Sequence, residues 1–276
     1  VLRDGSVEEA ALDTYLAQVV LSEMPASFAP EALKAQAVAA RTFACRQTAG
    51  GKHENADVCA QSACCQACLT VEDLRARYGD GFEAAWDKAL AAVRETQNEV
   101  LRYEGALIDA VYFSCSGGRT EAAVAVWGGE IPYLQSVPSP GEEDAPRETE
   151  TLTFTAEEFR DRITPARPDA DLSGTPETWF GAVRYTAGGG IGTLELGGAS
   201  FTGTELRRLL GLRSTDIEFS PQEDGVTVTT HGFGHRVGLS QYGAEAMAQA
   251  GRRFDEILLH YYQGTEIRRL TLDGEK

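Results

Sequence analysis

An α+β fold is predicted for this 276-residue chain, with helices gathered early and strands later. Two observations carry that expectation. Apolar residues recur at helical spacing through most of the first hundred positions, interrupted by one cysteine-rich loop. Beyond Gly105, short β-prone runs separated by glycine-rich turns take over. Strands and helices do not alternate as βαβ units would require, and the sequence has no internal repeat.

The first helix follows from Leu12, Tyr15, Leu16, Val19 and Val20, which form one apolar stripe. Pro25 disfavours helical geometry at Met24, so that helix should end close to Glu23. Pro30 suits the first turn of a second helix, which an alanine-rich run continues through Cys45. Residues 50–68 read as the cysteine-rich loop, and 69–79 and 83–95 as further helix. The runs EVLRYEG, ALIDAVYFSC, AVRYTAG, IGTLELGG and IEFSPQEDGVTVTTHG read as strands. Between them, PSPGEEDAPRETE (138–150) is an acidic surface loop or a boundary between lobes. Thr155 is placed to cap a helix with Glu158 at the capping-box position. GTELRRLLGL is a short amphipathic helix closed by Gly211. The GGG at 188–190 is a hairpin turn, since it lacks the Lys-Ser/Thr of a phosphate loop. A last motif, HGFGHRVGLSQYG, carries enough glycine to let backbone approach a ligand closely, with a helix starting near Ser240 or Ala244.

Composition narrows the function classes. With 42 acidic against 25 basic residues the formal net charge is −17, which argues against a nucleic-acid partner. An apolar fraction of 42% is ordinary for a globular protein. No run approaches a membrane span, and the first residues lack the order of a signal peptide. The chain opens at Val1 without a methionine, so a mature or truncated soluble part is expected.

Several residues are candidates for chemistry. Glu23 sits at the predicted helix end, facing the negative end of the dipole. With partial burial, both effects would raise its pKa and favour the protonated form that a general acid needs. The plainer alternative is a solvated glutamate at a helix terminus. Lys34 and Arg41, seven residues apart, share one face of the second helix. They form either a solvated basic edge or a pair that contacts substrate oxygens near the acid. In the glycine-rich late motif, Ser240, Gln241 and Tyr242 are placed in a cleft, with His235 supporting them. Ser116 belongs to a second small-residue turn (Ser114–Thr120), followed by Trp127 and Tyr133, aromatics that suit either sugar stacking or core packing. His231 and His235 have metal-ligand spacing only on a helix, which their glycines oppose. His53, Cys59, Cys64, Cys65 and Cys68 crowd one loop. They suit tetrahedral zinc, with disulfides as the alternative. Cys45 and Cys115 read as buried thiols.

Three blocks in chain order carry a resemblance. They are SEMPASF with EALKAQAVAARTFA, SCSGGRTEAAVAVWGGEIPYLQSV, and HGFGHRVGLSQYGAEAMAQAG. Together they resemble the stage II sporulation protein D family of lytic transglycosylases, and they bracket nearly the whole chain. The resemblance implies a single catalytic unit over 1–276, with lobes 1–105 and 106–276 and an active-site cleft between them. It implies cleavage of the MurNAc-GlcNAc β-1,4 bond in peptidoglycan glycan strands, preferably stripped of stem peptides, leaving 1,6-anhydro-MurNAc ends. Glu23 falls on the family's catalytic position, and the family pattern alone recommends Gln36 as a substrate contact. Clostridial relatives with a similar loop imply a structural zinc on His53, Cys59, Cys64 and Cys65, with Cys68 as the alternative to one of the neighbours. Catalysis itself would need no cofactor. The implied setting is extracytoplasmic, in sporulation and engulfment, tethered to the membrane by an N-terminal segment outside this chain. A partner cell-wall amidase and a membrane scaffold go with it. Two other readings remain open from the residues: a zinc-dependent cell-wall hydrolase with His231, His235 and the cysteine-rich loop near the chemistry, and a non-catalytic peptidoglycan-binding scaffold.

Overall fold

The computed structural model describes residues 1–146 and 148–270. It is α+β, and the chain divides into two compact units. One comprises Val1–Val111 together with the chain from Ala244 onward, and the other Tyr112–Gly243.

In the first unit a short hairpin, β1 (Leu2–Arg3) and β2 (Ser6–Val7), precedes α1 (Leu12–Glu23) and α2 (Pro30–Gly50). The elbow between the helices forms as its prolines dictate. Met24 is extended, with ψ of 145°, ahead of Pro25, and Pro30 occupies the first turn of α2. Helix α2 is buried on nearly every side because its core positions are small, including Ala32, Ala35, Ala37, Ala39 and Ala40. Against it pack α1, α4 (Phe82–Glu95) and α9 (Phe254–Tyr261), while α3 (Val71–Tyr78) lies on α1 and α4. A three-stranded antiparallel sheet completes the unit: β13 (Glu266–Arg269), β3 (Glu99–Tyr103) and β4 (Ala106–Leu107), with Ile267 opposite Leu101. The C-terminal α9 and β13 thus belong with the N-terminal helices.

The second unit holds β5 (Tyr112–Phe113), the five-residue α5 (Ala123–Trp127), β6 (Thr149–Thr155) and α6 (Ala156–Ile163). It continues with β7 (Phe180–Tyr185), β8 (Ile191–Leu196), β9 (Ala199–Thr202), α7 (Gly203–Leu210), β10 (Asp216–Gln222), β11 (Gly225–His231) and β12 (Leu239–Ser240). Two antiparallel sheets, ordered β10-β11-β6 and β7-β8-β9, share one apolar core with α6 and α7. Phe159 is its hub, with Trp179 stacked at 5.7 Å and Phe154 edge-on at 6.2 Å. Pro221 is tolerated in β10 because that strand lies at a sheet edge. The capping box Thr155–Glu158 and the left-handed Gly211 closing α7 form as expected.

One expectation changes. ALIDAVYFSC is not one strand: 106–107 and 112–113 pair in different sheets and Cys115 makes a lone bridge to Phe233, because the chain passes from one unit to the other at Val111/Tyr112. The helix predicted near Ser240 or Ala244 is α8 (Gln241–Gln249). The expected loop is irregular over 138–148, apart from residue 147, which lies outside the described residues, and its last two positions already belong to β6. No helix among the described residues is long and apolar enough to cross a membrane.

Candidate active site and metal loop

Glu23 is the last residue of α1 and is half-buried. A helix end leaves carbonyl oxygens without intrahelical donors, and here other side chains supply them. Arg77 Nη1 donates to the carbonyls of Leu21 (3.2 Å) and Ser22 (3.4 Å), and the Tyr78 hydroxyl donates to Leu21 at 3.3 Å. The elbow beyond it is held by Lys88 Nζ, which donates to the carbonyls of Ala26 and Phe28. The Glu23 carboxylate is held too: its Oε1 accepts from the Ala67 backbone N–H at 2.8 Å.

Ala67 lies at the exit of the cysteine-rich loop, and further bonds tie that exit to α1. The Leu69 N–H donates to Ser22 Oγ at 2.9 Å, and Gln18 Nε2 donates to the Leu69 carbonyl at 2.9 Å. Gln66 Nε2 donates to the Tyr15 hydroxyl at 2.9 Å. Burial raises the Tyr15 phenol well above its ordinary pKa, so it acts as a neutral hydroxyl.

Within the loop, His53, Cys59, Cys64 and Cys65 place one donor atom each within 4.8 Å of all the others. His53 Nε2 is 3.3 Å from Cys65 Sγ and 3.9 Å from Cys64 Sγ. Three sulfurs and one imidazole at these separations can hold a single metal ion. No other such group occurs among the described residues. Cys68 stays outside the group, buried, with Arg3 Nη2 3.7 Å from its sulfur. The cysteines are free thiols, so the disulfide alternative is not formed.

The expected substrate contacts of the first unit sit in the following surroundings. Arg41 is 1% exposed. Its Nη1 donates to the carbonyls of Thr96 (2.8 Å) and Glu99 (3.1 Å), and its Nη2 to Val93 (2.9 Å). It therefore caps the C-terminal end of α4 and cannot reach a glycan. Lys34 pairs with Glu31 and Glu95, each at 2.7 Å. Burial alone would lower the ammonium's pKa, but the two carboxylates hold it above its ordinary value. Gln36 is wholly buried, and neither of its amide atoms has a partner among the described residues.

The second unit sets the remaining candidates in these surroundings. Ser116 is fully buried, and both its N–H and its hydroxyl donate to Glu142 Oε2. Ser240 is also buried: its Oγ accepts from the Gly243 N–H at 3.2 Å, which makes it a cap for α8. Gln241 is buried, while Tyr242 is half-buried with its N–H on the Ser114 carbonyl at 3.0 Å. Tyr133 is half-buried. His235 is wedged between Phe113 (5.6 Å) and Trp127 (5.3 Å), its Nδ1 accepting from the Val237 N–H. Burial lowers its pKa to about 4, with the nearby Arg207 adding to the effect. Of the sugar-stacking candidates, Trp127 is 48% exposed and so is available. His231 faces Glu148, Glu218 and Thr149, and among the described residues no metal group joins it to His235.

Residues missed from the sequence hold the glycine-rich turns. Arg236 is wholly buried, with φ of 63°; its Nε donates to the Ser116 carbonyl (2.7 Å) and its Nη2 to the Gly188 carbonyl (2.8 Å) and Asp216 (3.1 Å). Glu121 Oε1 accepts from Thr186 Oγ1 (2.6 Å) and the Gly190 N–H (3.0 Å). A Cβ on Gly190 would lie 2.5 Å from that carboxylate and 3.1 Å from the Thr215 carbonyl oxygen, so a side chain there would displace the Glu121 contact. Arginine in a glycine-rich run gives no sequence signal of this role.

Comparison with known proteins agrees with the motifs. Residues 3–103 match the family described as SpoIID, stage II sporulation protein. The chain is 41% identical to stage II sporulation protein D of Bacillus subtilis (strain 168), over 95% of this chain and 76% of that protein. It is 38% identical to the protein of the same name from Bacillus amyloliquefaciens, over 95% and 75%. A more distant relative, the amidase enhancer of Bacillus subtilis (strain 168), is 29% identical over 90% of this chain and 39% of its own length. The chain belongs to the stage II sporulation protein D family.

Proposed function

We propose that this chain is a lytic transglycosylase that cleaves the MurNAc-GlcNAc bond of peptidoglycan glycan strands, with Glu23 as its lone acid and base. The observation that carries the reading is the carboxylate at the end of α1, held by a backbone amide and half-exposed. The Ala67 N–H fixes Oε1 as an acceptor, so the transferable proton belongs on Oε2. That proton goes to the glycosidic oxygen as the C1–O bond breaks and positive charge develops at C1 of MurNAc. The Glu23 carboxylate then takes the proton from the sugar's own C6 hydroxyl, whose oxygen closes on C1 and leaves a 1,6-anhydro end. No second carboxylate is needed, because the substrate supplies the nucleophile.

The loop donors fit zinc. With Zn–S near about 2.3 Å and Zn–N near about 2.0 Å, a tetrahedral ion sets its donors roughly 3.5–3.8 Å apart. The observed 3.3 and 3.9 Å bracket that spacing. Bound there by four protein ligands, zinc would cross-link the loop and offer no open position for chemistry. The setting we propose is extracytoplasmic, in sporulation, with a cell-wall amidase as partner; the relative named an amidase enhancer supports that partnership.

The test is mass analysis of products from peptide-free glycan strands. Anhydro-MurNAc termini from the wild type and none from Glu23→Gln support the reading. Reducing ends in place of anhydro ends would make the protein a hydrolase, and binding without products would make it a scaffold.

A further inference from the structure

The cysteine-rich loop has almost no regular structure of its own, so its four donors must be placed from outside. One anchor comes from the far N-terminus. The Leu2 N–H donates to the Val58 carbonyl at 2.7 Å, and the Ala60 N–H donates back to the Leu2 carbonyl at 3.0 Å. Cys59 lies between those two residues, so this single parallel bridge fixes its backbone on both sides. Cys64 and Cys65 are placed by a turn in which both their N–H groups donate to the Gln61 carbonyl (3.0 and 2.8 Å). The Cys59 Sγ also reaches the Gln61 carbonyl, at 4.0 Å, so β1 and the Gln61 turn together set where Cys59 sits.

The next residue acts on the fifth sulfur. Arg3 donates through Nη1 to the Cys68 carbonyl and sets Nη2 3.7 Å from the Cys68 Sγ. Its Nε lies 3.4 Å from Glu8, and its side chain is only 16% exposed, so the guanidinium is held in place. Cys68 is three residues past Cys65 and is chemically equal to the sulfurs that do gather.

We propose that Leu2 and Arg3 are positioning residues of the metal site: Leu2 holds Cys59 among the ligands, and Arg3 keeps Cys68 out. The N-terminal strand then selects His53, Cys59, Cys64 and Cys65 from five available donors. Partners behind the ligands of a metal site commonly change affinity about 10–100-fold when removed.

The inference rests on the metal reading above, and cobalt(II) separates the two. Cobalt reports thiolate number through its charge-transfer band and geometry through its visible bands, independently of turnover. Zinc affinity is measured alongside, by competition with a chromophoric chelator. Cys68→Ala should bind one cobalt per chain with an unchanged charge-transfer band. Leu2→Pro, which removes the donated N–H, should weaken zinc binding at least about tenfold. Arg3→Ala leaves the backbone pairing intact and so remains informative if Leu2→Pro fails to fold. It should weaken binding and give a mixed cobalt spectrum, which the double variant Arg3→Ala/Cys68→Ala returns to a single species. A reduced charge-transfer band in Cys68→Ala would overturn the proposal. Wild-type affinity and spectrum in Leu2→Pro or Arg3→Ala would remove that residue's role. A wild-type protein that takes up no cobalt would end the metal reading itself.

Discussion

Glu23 Oε1 and the backbone N–H of Ala67 lie 2.8 Å apart, a hydrogen bond spanning 44 residues of sequence. It joins the proposed acid to the chain two residues beyond the metal-ligand candidate Cys65. A donor on the main chain has few ways to move, so the carboxylate's orientation depends on how firmly the loop exit is held.

Removing that donor should therefore damage turnover more than stability. Ala67→Pro deletes the N–H, and a loss of about 10²-fold in kcat with a small change in melting temperature is expected. Gln66→Ala, which frees the Tyr15 hydroxyl but leaves the amide, should cost less. Chelation of bound metal should act in the same direction, with hydrogen exchange rising at residues 66–69. Unchanged exchange there after metal removal would separate the loop from the carboxylate.

Arg41 should prove to be a stability residue. Arg41→Met removes the charged donor shared by the carbonyls of Val93, Thr96 and Glu99, leaving Val93 only the Thr96 hydroxyl and Thr96 only the Glu99 N–H among the bonds described, which should cost on the order of 3 kcal/mol. Denaturant unfolding measures it. At temperatures where the variant is folded, its KM for glycan should match the wild type.

His235 predicts a pH slope. Its pKa in the fold, about 4, lies below the ordinary value of 6.5, so the unfolded chain binds more protons between those values. Its contribution to stability is complete above pH 6.5 and is lost as pH falls through 4. Melting temperature should drop over that window more steeply in the wild type than in His235→Phe. Parallel slopes would show that the histidine is not held neutral.

Much of the first unit was legible because prolines and periodicity act locally. Pro25 and Pro30 fixed the elbow and put Glu23 at a helix end without reference to distant residues. The Thr155–Glu158 cap was legible for the same reason. Arg41 was not, since a helical face can be read from spacing but not what the face meets; its acceptors lie 52–58 residues away. Ser240 misled because a small hydroxyl beside glycines suits a cap as well as a ligand contact. Ala67 had no signature at all, because the group that matters is its backbone amide. The four candidate metal donors were readable as a crowded set, but the separation of Cys68 from them involves Arg3, sixty-five residues earlier.

The most direct measurement is mass spectrometry of glycan products from wild type and Glu23→Gln, each with stoichiometric metal and matched melting temperature. The wild type should release 1,6-anhydro-MurNAc ends and the variant none. Anhydro ends at wild-type rate from Glu23→Gln would contradict the role given to Glu23.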